Sequence, residues 1–532
     1  MSAPSRALPD RVPGALEWPA LAVYVSLAAG SAAVCAQINL RLGITPNTAV
    51  IGVIVAISLG RTAWPLFRSP ERQVMVETAT SAGGFAGANI ALVSLAVLHL
   101  LGLEHLVLPL VGGVAAGMVL DIALAAKLFG SRAFPAEGPW PDGEAVGRVI
   151  QAGDEGGTLA RQLLQGIAAG VVGRALTFPM AGVGIAFIGN PVALAALATG
   201  LIVRGNGSRI GLDLAGSSIP HGIMIGAGLV QVGQTAGLIW RVARGGTSKA
   251  TNACVEPPSA PASARARDTN GPAGLASHAL LFMLVAVALA ATGGLWQGMG
   301  LGRLAAWVAF AGVAALIHTI IVGYCAMLSG WFPSFAVAIA LILVAALLRF
   351  PVDALALVAG FILSTGPQFA DLGYDLKSGW IIRGRGHDET RELAGRHQQV
   401  VLQQVGGLAG IVTVWLASAA FWRLGLVPPM SKVVAATIGL VASPGLARQL
   451  LAGAAVGAAV QAAGGGRRAV GLLLATGLLL DNAPYGYALA IALVARAWIG
   501  PGPMAIRAPG LVAGDGLAGF IDAVLRVFYS TH

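Results

Sequence analysis

The chain has 532 residues, 56% of them hydrophobic and only 11% charged, with a formal net charge of +10. A soluble protein of this length carries about 25% charged residues, because its surface must be wetted. The composition therefore excludes an ordinary soluble globule and leaves hydrocarbon as the matching solvent. The basic residues lie between apolar runs and read as positive-inside signals, not as a nucleic-acid footprint.

A spanning helix needs roughly 20 apolar residues. Arg6 and Arg11 precede the first run, and no small-residue cleavage site follows a short apolar core, so an uncleaved first helix is expected. Apolar segments follow near 18–39, 47–60, 76–101, 106–128, 159–178, 181–203 and 209–240. Residues 241–276 are rich in Ser, Ala, Pro, Gly and Arg and carry no apolar period, which reads as a flexible linker. Its Arg241, Arg244, Lys249, Arg265 and Arg267, against Glu256 and Asp268, place it on the cytoplasmic side. A second series lies near 277–298, 303–328, 332–350, 352–373, 400–422, 432–460, 468–481 and 484–500, and an amphipathic stretch covers 517–529. The expected fold is an all-α polytopic membrane bundle of about 14 crossings, some broken or re-entrant. Its expected parts are an N-terminal tail (1–17), a first half (18–240), the linker (241–276) and a second half (277–532).

The 74 glycines fit this reading, since small residues let membrane helices approach closely. Three echoes recur in the same order in both halves. Residues 42–53 echo 329–340, 161–172 echo 402–412, and 209–222 echo 471–486. They suggest an internal duplication, the arrangement in which transporters place a substrate site between repeats.

No nucleotide-binding loop, metalloprotease helix or serine-hydrolase elbow is present, so the chain is not expected to be an enzyme or an ATP-driven pump. Cys35, Cys254 and Cys325 share no metal-ligand spacing, and neither a metal nor a cofactor is implied. The informative residues are polar ones inside apolar segments, where a charge costs at least about 2.5–3.5 kcal/mol. The segment 364–379 places Asp371 and Asp375 four apart after a Gly-Pro break, with Gln368 before them and Lys377 as a neighbour able to neutralise them. Close carboxylates oppose each other's ionisation, so this pair is the expected proton-coupling element. His221, after Pro220, is a further proton-coupling candidate. Asp481, Asn482 and Tyr485 surround the matching Pro484 break. Glu77 precedes a small polar run containing Ser81, Gly83, Gly84 and Asn89, which reads as a hairpin lining a pathway or as a tightly packed helix. Asp121, Arg174 and His318 also fall within apolar runs, with Arg174 a candidate partner for Asp121.

Taken together, these motifs resemble the oligopeptide transporter family, which includes the yellow-stripe-like metal-chelate transporters. A-D-L-G-Y-D-L-K-S-G at 370–379 is similar to that family's G-D-x-x-x-D-L-K-T-G pattern, with Asp371, Asp375, Lys377 and Gly379 in register. The run at 78–84 resembles its small-residue segment, and 508–519 resembles its C-terminal G-L-I-A-G-E-G-L-x-G, with Asp515 standing in for Glu. Ala370, Ser378 and Trp380 depart from the pattern, and its P-Q-A stretch appears only as Pro428-Pro429-Met430-Ser431. The resemblance implies a proton-driven symporter of small oligopeptides or metal chelates of the siderophore type, in the cell inner membrane. Its expected partners are membrane lipid, protons and that substrate, with no nucleic acid; a homodimer is compatible with this reading. A passive channel and a non-transporting membrane scaffold are the rival expectations.

Overall fold

The computed structural model describes residues 12–42, 48–60, 65–131, 133–155, 157–211, 213–214, 216–243, 271–330, 333–439, 445–464 and 468–529. Most of the linker thus lies outside the described residues. In chain order the helices are α1 (Ala20–Leu42), α2 (Thr48–Gly60), α3 (Pro70–Phe85), α4 (Leu92–Leu101), α5 (Val107–Leu128), α6 (Pro141–Glu155), α7 (Gly157–Ala175), α8 (Met180–Ile188), α9 (Pro191–Asn206) and α10 (Ile219–Ala243). The second series is α11 (Gly271–Thr292), α12 (Leu301–Ser329), α13 (Ser334–Leu347), α14 (Val352–Leu363), α15 (Pro367–Ile382), α16 (Glu389–Arg423), α17 (Pro429–Gly439), α18 (Leu446–Gly464), α19 (Val470–Leu479), α20 (Ala483–Ile499) and α21 (Arg507–Tyr529). No strand occurs among the described residues. The protein is an all-α, multi-pass membrane bundle.

Seven helical stretches among the described residues are long and apolar enough to cross a membrane, and four shorter apolar helices accompany them. Two of the seven, Pro70–Leu101 and Val352–Ile382, are buried over 83% and 89% of their apolar windows, against 33–56% for the others. These two are the centre of the bundle. The remaining long helices present lipid-facing side chains such as Leu284 and Leu416.

Sequence punctuation sets the helix ends. Ser69, Asn190 and Asn482 each cap a helix with Pro in its first turn, the side-chain oxygen accepting from Arg72 N, from Val192 and Ala193 N, and from Tyr485 N. The small polar run after Glu77 forms no hairpin. It continues α3 through a π-helical turn at Ala86–Ala91 into α4, because its small side chains let α1 and α16 press against it and no proline interrupts it. The segment 352–382 does break. Ser364 and Thr365 turn their hydroxyls back to Phe361 O and Ile362 O at 2.7 and 2.8 Å, Gly366 takes φ +84°, and Pro367 starts α15.

Packing is dominated by parallel helix pairs joined backbone to backbone. Gly166 and Gly170 of α7 lie against Gly510 and Gly514 of α21, Gly200 of α9 against Gly477 of α19, and Gly222 of α10 against Gly453 of α18. These are small-xxx-small interfaces, in which dispersion replaces the absent hydrophobic drive. The first series is therefore interleaved with the second: α7, α9 and α10 find their partners near the C-terminus, and α3 packs on α15 and α16.

A side chain at Gly226 would overlap the carbonyl group of Ala454. Gly226→Val should separate α10 from α18 and cost about 1–3 kcal/mol, read as a lower thermal midpoint of the detergent-solubilised protein. Gly233→Ala, on the same helix but with open space around it, should leave the midpoint unchanged.

Candidate functional site

A polar seam runs where α3, α15 and α16 meet. Gln368, Asp371, Asp375 and Ser378 recur at spacings of three or four in α15 and so share one face. Asp371 accepts hydrogen bonds from Ser81 Oγ on α3 and from Gln403 Nε2 on α16, the latter at 2.7 Å. Gln403 Nε2 also donates to Gln368 Oε1 at 2.6 Å, and Gln368 Nε2 donates to Ala82 O at 3.3 Å. One turn on, the carboxyl group of Asp375 faces that of Glu77 at hydrogen-bonding contact. Glu77 is 1% exposed and Asp375 0%, so both have left water entirely. Among the described residues, no donor meets hydrogen-bond geometry with any of their four carboxyl oxygens. The hydroxyls of Thr78 and Ser378 border the pair, but Ser378 donates to Asp375 O at 2.8 Å.

Lys377 does not neutralise this cluster. Two residues beyond Asp375, it points to another side of α15, donates to Ala136 O and Gly138 O at 3.0 Å each, and stands 3.4 Å from Glu144 Oε2. Its ammonium also lies 4.6 Å from the centre of the Trp380 ring. Lys377 thus ties α15 to the 129–140 loop and to α6. Among the described residues, no lysine or arginine pairs with Glu77, Asp371 or Asp375.

At the break itself, Asp121 of α5 accepts from Phe369 N at 2.8 Å and from Thr319 Oγ1 at 2.7 Å. It caps the exposed amides of α15, a position that the helix dipole favours for an anion. Arg174 is not its partner but stands 3.8 Å from Asp515. The ring of His318 is held by Ser334 O at 2.9 Å and Thr365 Oγ1 at 3.3 Å.

The far end of the seam is closed by ions. Arg383 is clamped by both oxygens of Glu392 at 2.8 and 3.2 Å and donates to Gln399 Oε1 at 2.8 Å. Arg396 Nε adds a bond to Glu392 at 2.6 Å. Gln399 Nε2 in turn donates to Asp375 O at 2.6 Å and to Thr78 Oγ1 at 3.3 Å. A small cavity at this end is lined by Glu71, Met75, Arg383, Gln398 and Gln399, and Gln399 links that lining to the backbone of Asp375.

The structure therefore brings Glu77, Ser81, Gln368, Asp371 and Asp375 together and sends Lys377 elsewhere. Gly83 serves packing, its backbone lying against Ala28 and Gly410, and Gly84 and Asn89 are buried in the same span. His221 and Pro220 sit on α10 at its contact with α18, outside the seam, and His221 Nδ1 has no partner among the described residues. Asp481 is exposed, Asn482 is a helix cap, and Tyr485 packs beside Gly182. Gln399, the Arg383–Glu392 clamp and the Asp121 cap emerge only with the fold. One sequence signal did point to Gln399: it stands four before Gln403, matching the spacing of Asp371 and Asp375.

The fold and site define a polytopic membrane protein with an anionic cluster inside its central helices. The chain matches no known family model and no curated protein.

Removing one partner from a buried ion pair costs about 3–5 kcal/mol. Glu392→Ala should therefore lower stability by that order in detergent, measured by chemical denaturation. A second expectation concerns Glu144, outside the long spans. Burial pushes its carboxyl up, but Lys377, Arg148 and Arg385 outweigh that and hold it below its ordinary value of 4.5. Its pairing stabilises the fold above that value and is lost as the pH falls through its depressed one. Glu144→Gln should flatten the acid limb of a plot of thermal midpoint against pH.

Proposed function

We propose that the protein is a secondary active transporter that couples protons to the uptake of small oligopeptides or metal chelates across the cell inner membrane. The observation that carries this reading is the cluster of Glu77, Asp371 and Asp375 in the two most buried spans, beside a helix break and without a cationic side chain among the described residues. Ionisable groups there are expensive, and transporters use them as proton relays. Broken spans with free backbone groups are the setting in which such carriers hold ion and substrate. A passive pore would need a continuous water path, whereas the seam is packed and closed by the Arg383–Glu392 clamp. The substrate class rests on the resemblance of residues 370–379 to the oligopeptide transporter pattern.

Orientation follows from the linker. The chain just beyond α11 lies against Leu106 and Leu357, at the end where His105 meets Asp353. The start of α11, which the basic linker precedes in sequence, is at the opposite end, with Lys127 and the Arg383 clamp. By the positive-inside rule that end is cytoplasmic.

Purified protein in liposomes loaded with a pH-sensitive dye, under an inward proton gradient, should acidify the lumen when di- to tetrapeptides or ferric or nickel chelates are added. No substrate-dependent acidification from folded protein in either pool would overturn the assignment.

A further inference from the structure

Three carboxylates share the seam, yet they are not equivalent. Asp371 is fully served: one oxygen accepts from Ser81 and the other from Gln403. Each donor is neutral and fixed on a different helix, so Asp371 ties α15 to α3 and α16. Glu77 and Asp375 have the opposite character. They come from two helices and face each other at hydrogen-bonding contact; the hydroxyls of Ser378 and Thr78 border them, but none of their four oxygens has a donor in hydrogen-bond geometry among the described residues.

Two carboxylates in contact, out of water and with only acceptors turned to each other, lack the one component that would make the contact attractive. A single proton supplies it, converting repulsion into an O–H···O⁻ bond, which is among the short and strong hydrogen bonds. Such a dyad titrates as a unit, not as two independent acids.

Among the described residues, the surroundings offer no other source of positive charge. From α15 itself come Asp371, already bonded, and Lys377, engaged by Glu144. From α6 come Glu144, held by Lys377 and Arg148, and Asp142. From α5 comes Asp121, which caps α15, and from α12 His318, held by Ser334 and Thr365. From α16 come Glu392 and Arg396, locked with Arg383. From α1 comes Tyr24, bonded to Arg72, and α2 carries no titratable side chain.

We propose that Glu77 and Asp375 hold one proton between them and form the proton-carrying unit of the protein, while Asp371 is a positioning residue. The shared proton stands on geometry alone; its role as the driving proton rests on the transport reading above. Release requires the dyad to part and water to reach it, and the cavity lined by Gln399, which bonds Asp375 O, offers a route. The proton then leaves to water on the cytoplasmic side, and both carboxylates stay behind ionised until they are recharged from the other face.

Infrared difference spectroscopy of the solubilised full chain tests this without any substrate. At pH 7 exposed carboxyl groups are ionised, so a carboxylic-acid C=O band reports a buried proton. Wild type should show such a band. Glu77→Gln and Asp375→Asn should each abolish it, because the amide supplies a permanent donor to the remaining carboxylate. Asp371→Asn should keep it. Size-exclusion profiles and thermal midpoints near wild type establish that each variant is folded. No band in wild type, or a band that survives both Glu77→Gln and Asp375→Asn, overturns the shared proton. If the band behaves as expected while wild-type liposomes stay silent to both substrate pools, the dyad stands and the transport assignment falls. If transport occurs and only Asp371→Asn uncouples it, the dyad is not the driving site.

Discussion

Everything in the centre of this protein depends on one close approach. Gly83 of α3 lies with its backbone against Ala28 of α1 on one side and Gly410 of α16 on the other, and Gly406 meets Ala79 one turn away. In hydrocarbon no hydrophobic drive holds helices together, so contact distance decides the interface. Because these backbones touch, side chains two turns away can reach across. Gln403 and Gln399 of α16 then stand within hydrogen-bond distance of α15, and Glu77 and Ser81 of α3 meet the same face. A larger residue at position 83 or 410 would move the polar groups apart before it disturbed any of them directly.

The second constraint is the break at 364–366. A continuous helix would leave no free amides at mid-membrane. Here Asp121 takes up Phe369 N, and Ser364 and Thr365 satisfy the last carbonyls of α14. The polar seam begins at this break and runs along α15 to the arginine clamp. It is a one-sided arrangement: packed apolar residues of α14 lie on the far side of the break, and hydrogen-bonded polar ones lie between it and the arginine clamp.

Much of this was legible in the sequence, for reasons that differ between elements. The membrane class follows from charge content alone, and the spacing of Asp371 and Asp375 placed them on one helical face correctly because 367–382 is helical. Glu77 was visible as an ionisable residue in an apolar run, but its partner was not, since the two lie 298 positions apart in sequence and meet only through packing. Lys377 misleads at the sequence level: adjacency suggests neutralisation of Asp375, while a two-residue step on a helix turns the side chain away. The hairpin reading of 78–89 failed because small polar residues serve close packing as readily as they serve a turn.

The parallel glycine pairs also set the order of assembly. Gly166 meets Gly510, Gly200 meets Gly477 and Gly222 meets Gly453. Each N-terminal member emerges from the ribosome long before its counterpart exists. Helices α7, α9 and α10 must therefore wait in the bilayer with their glycine faces uncovered, and the bundle closes only when the last quarter of the chain has been inserted. A chain cut short near residue 440 would lack all three counterparts, so the C-terminal helices complete the bundle as well as extending it.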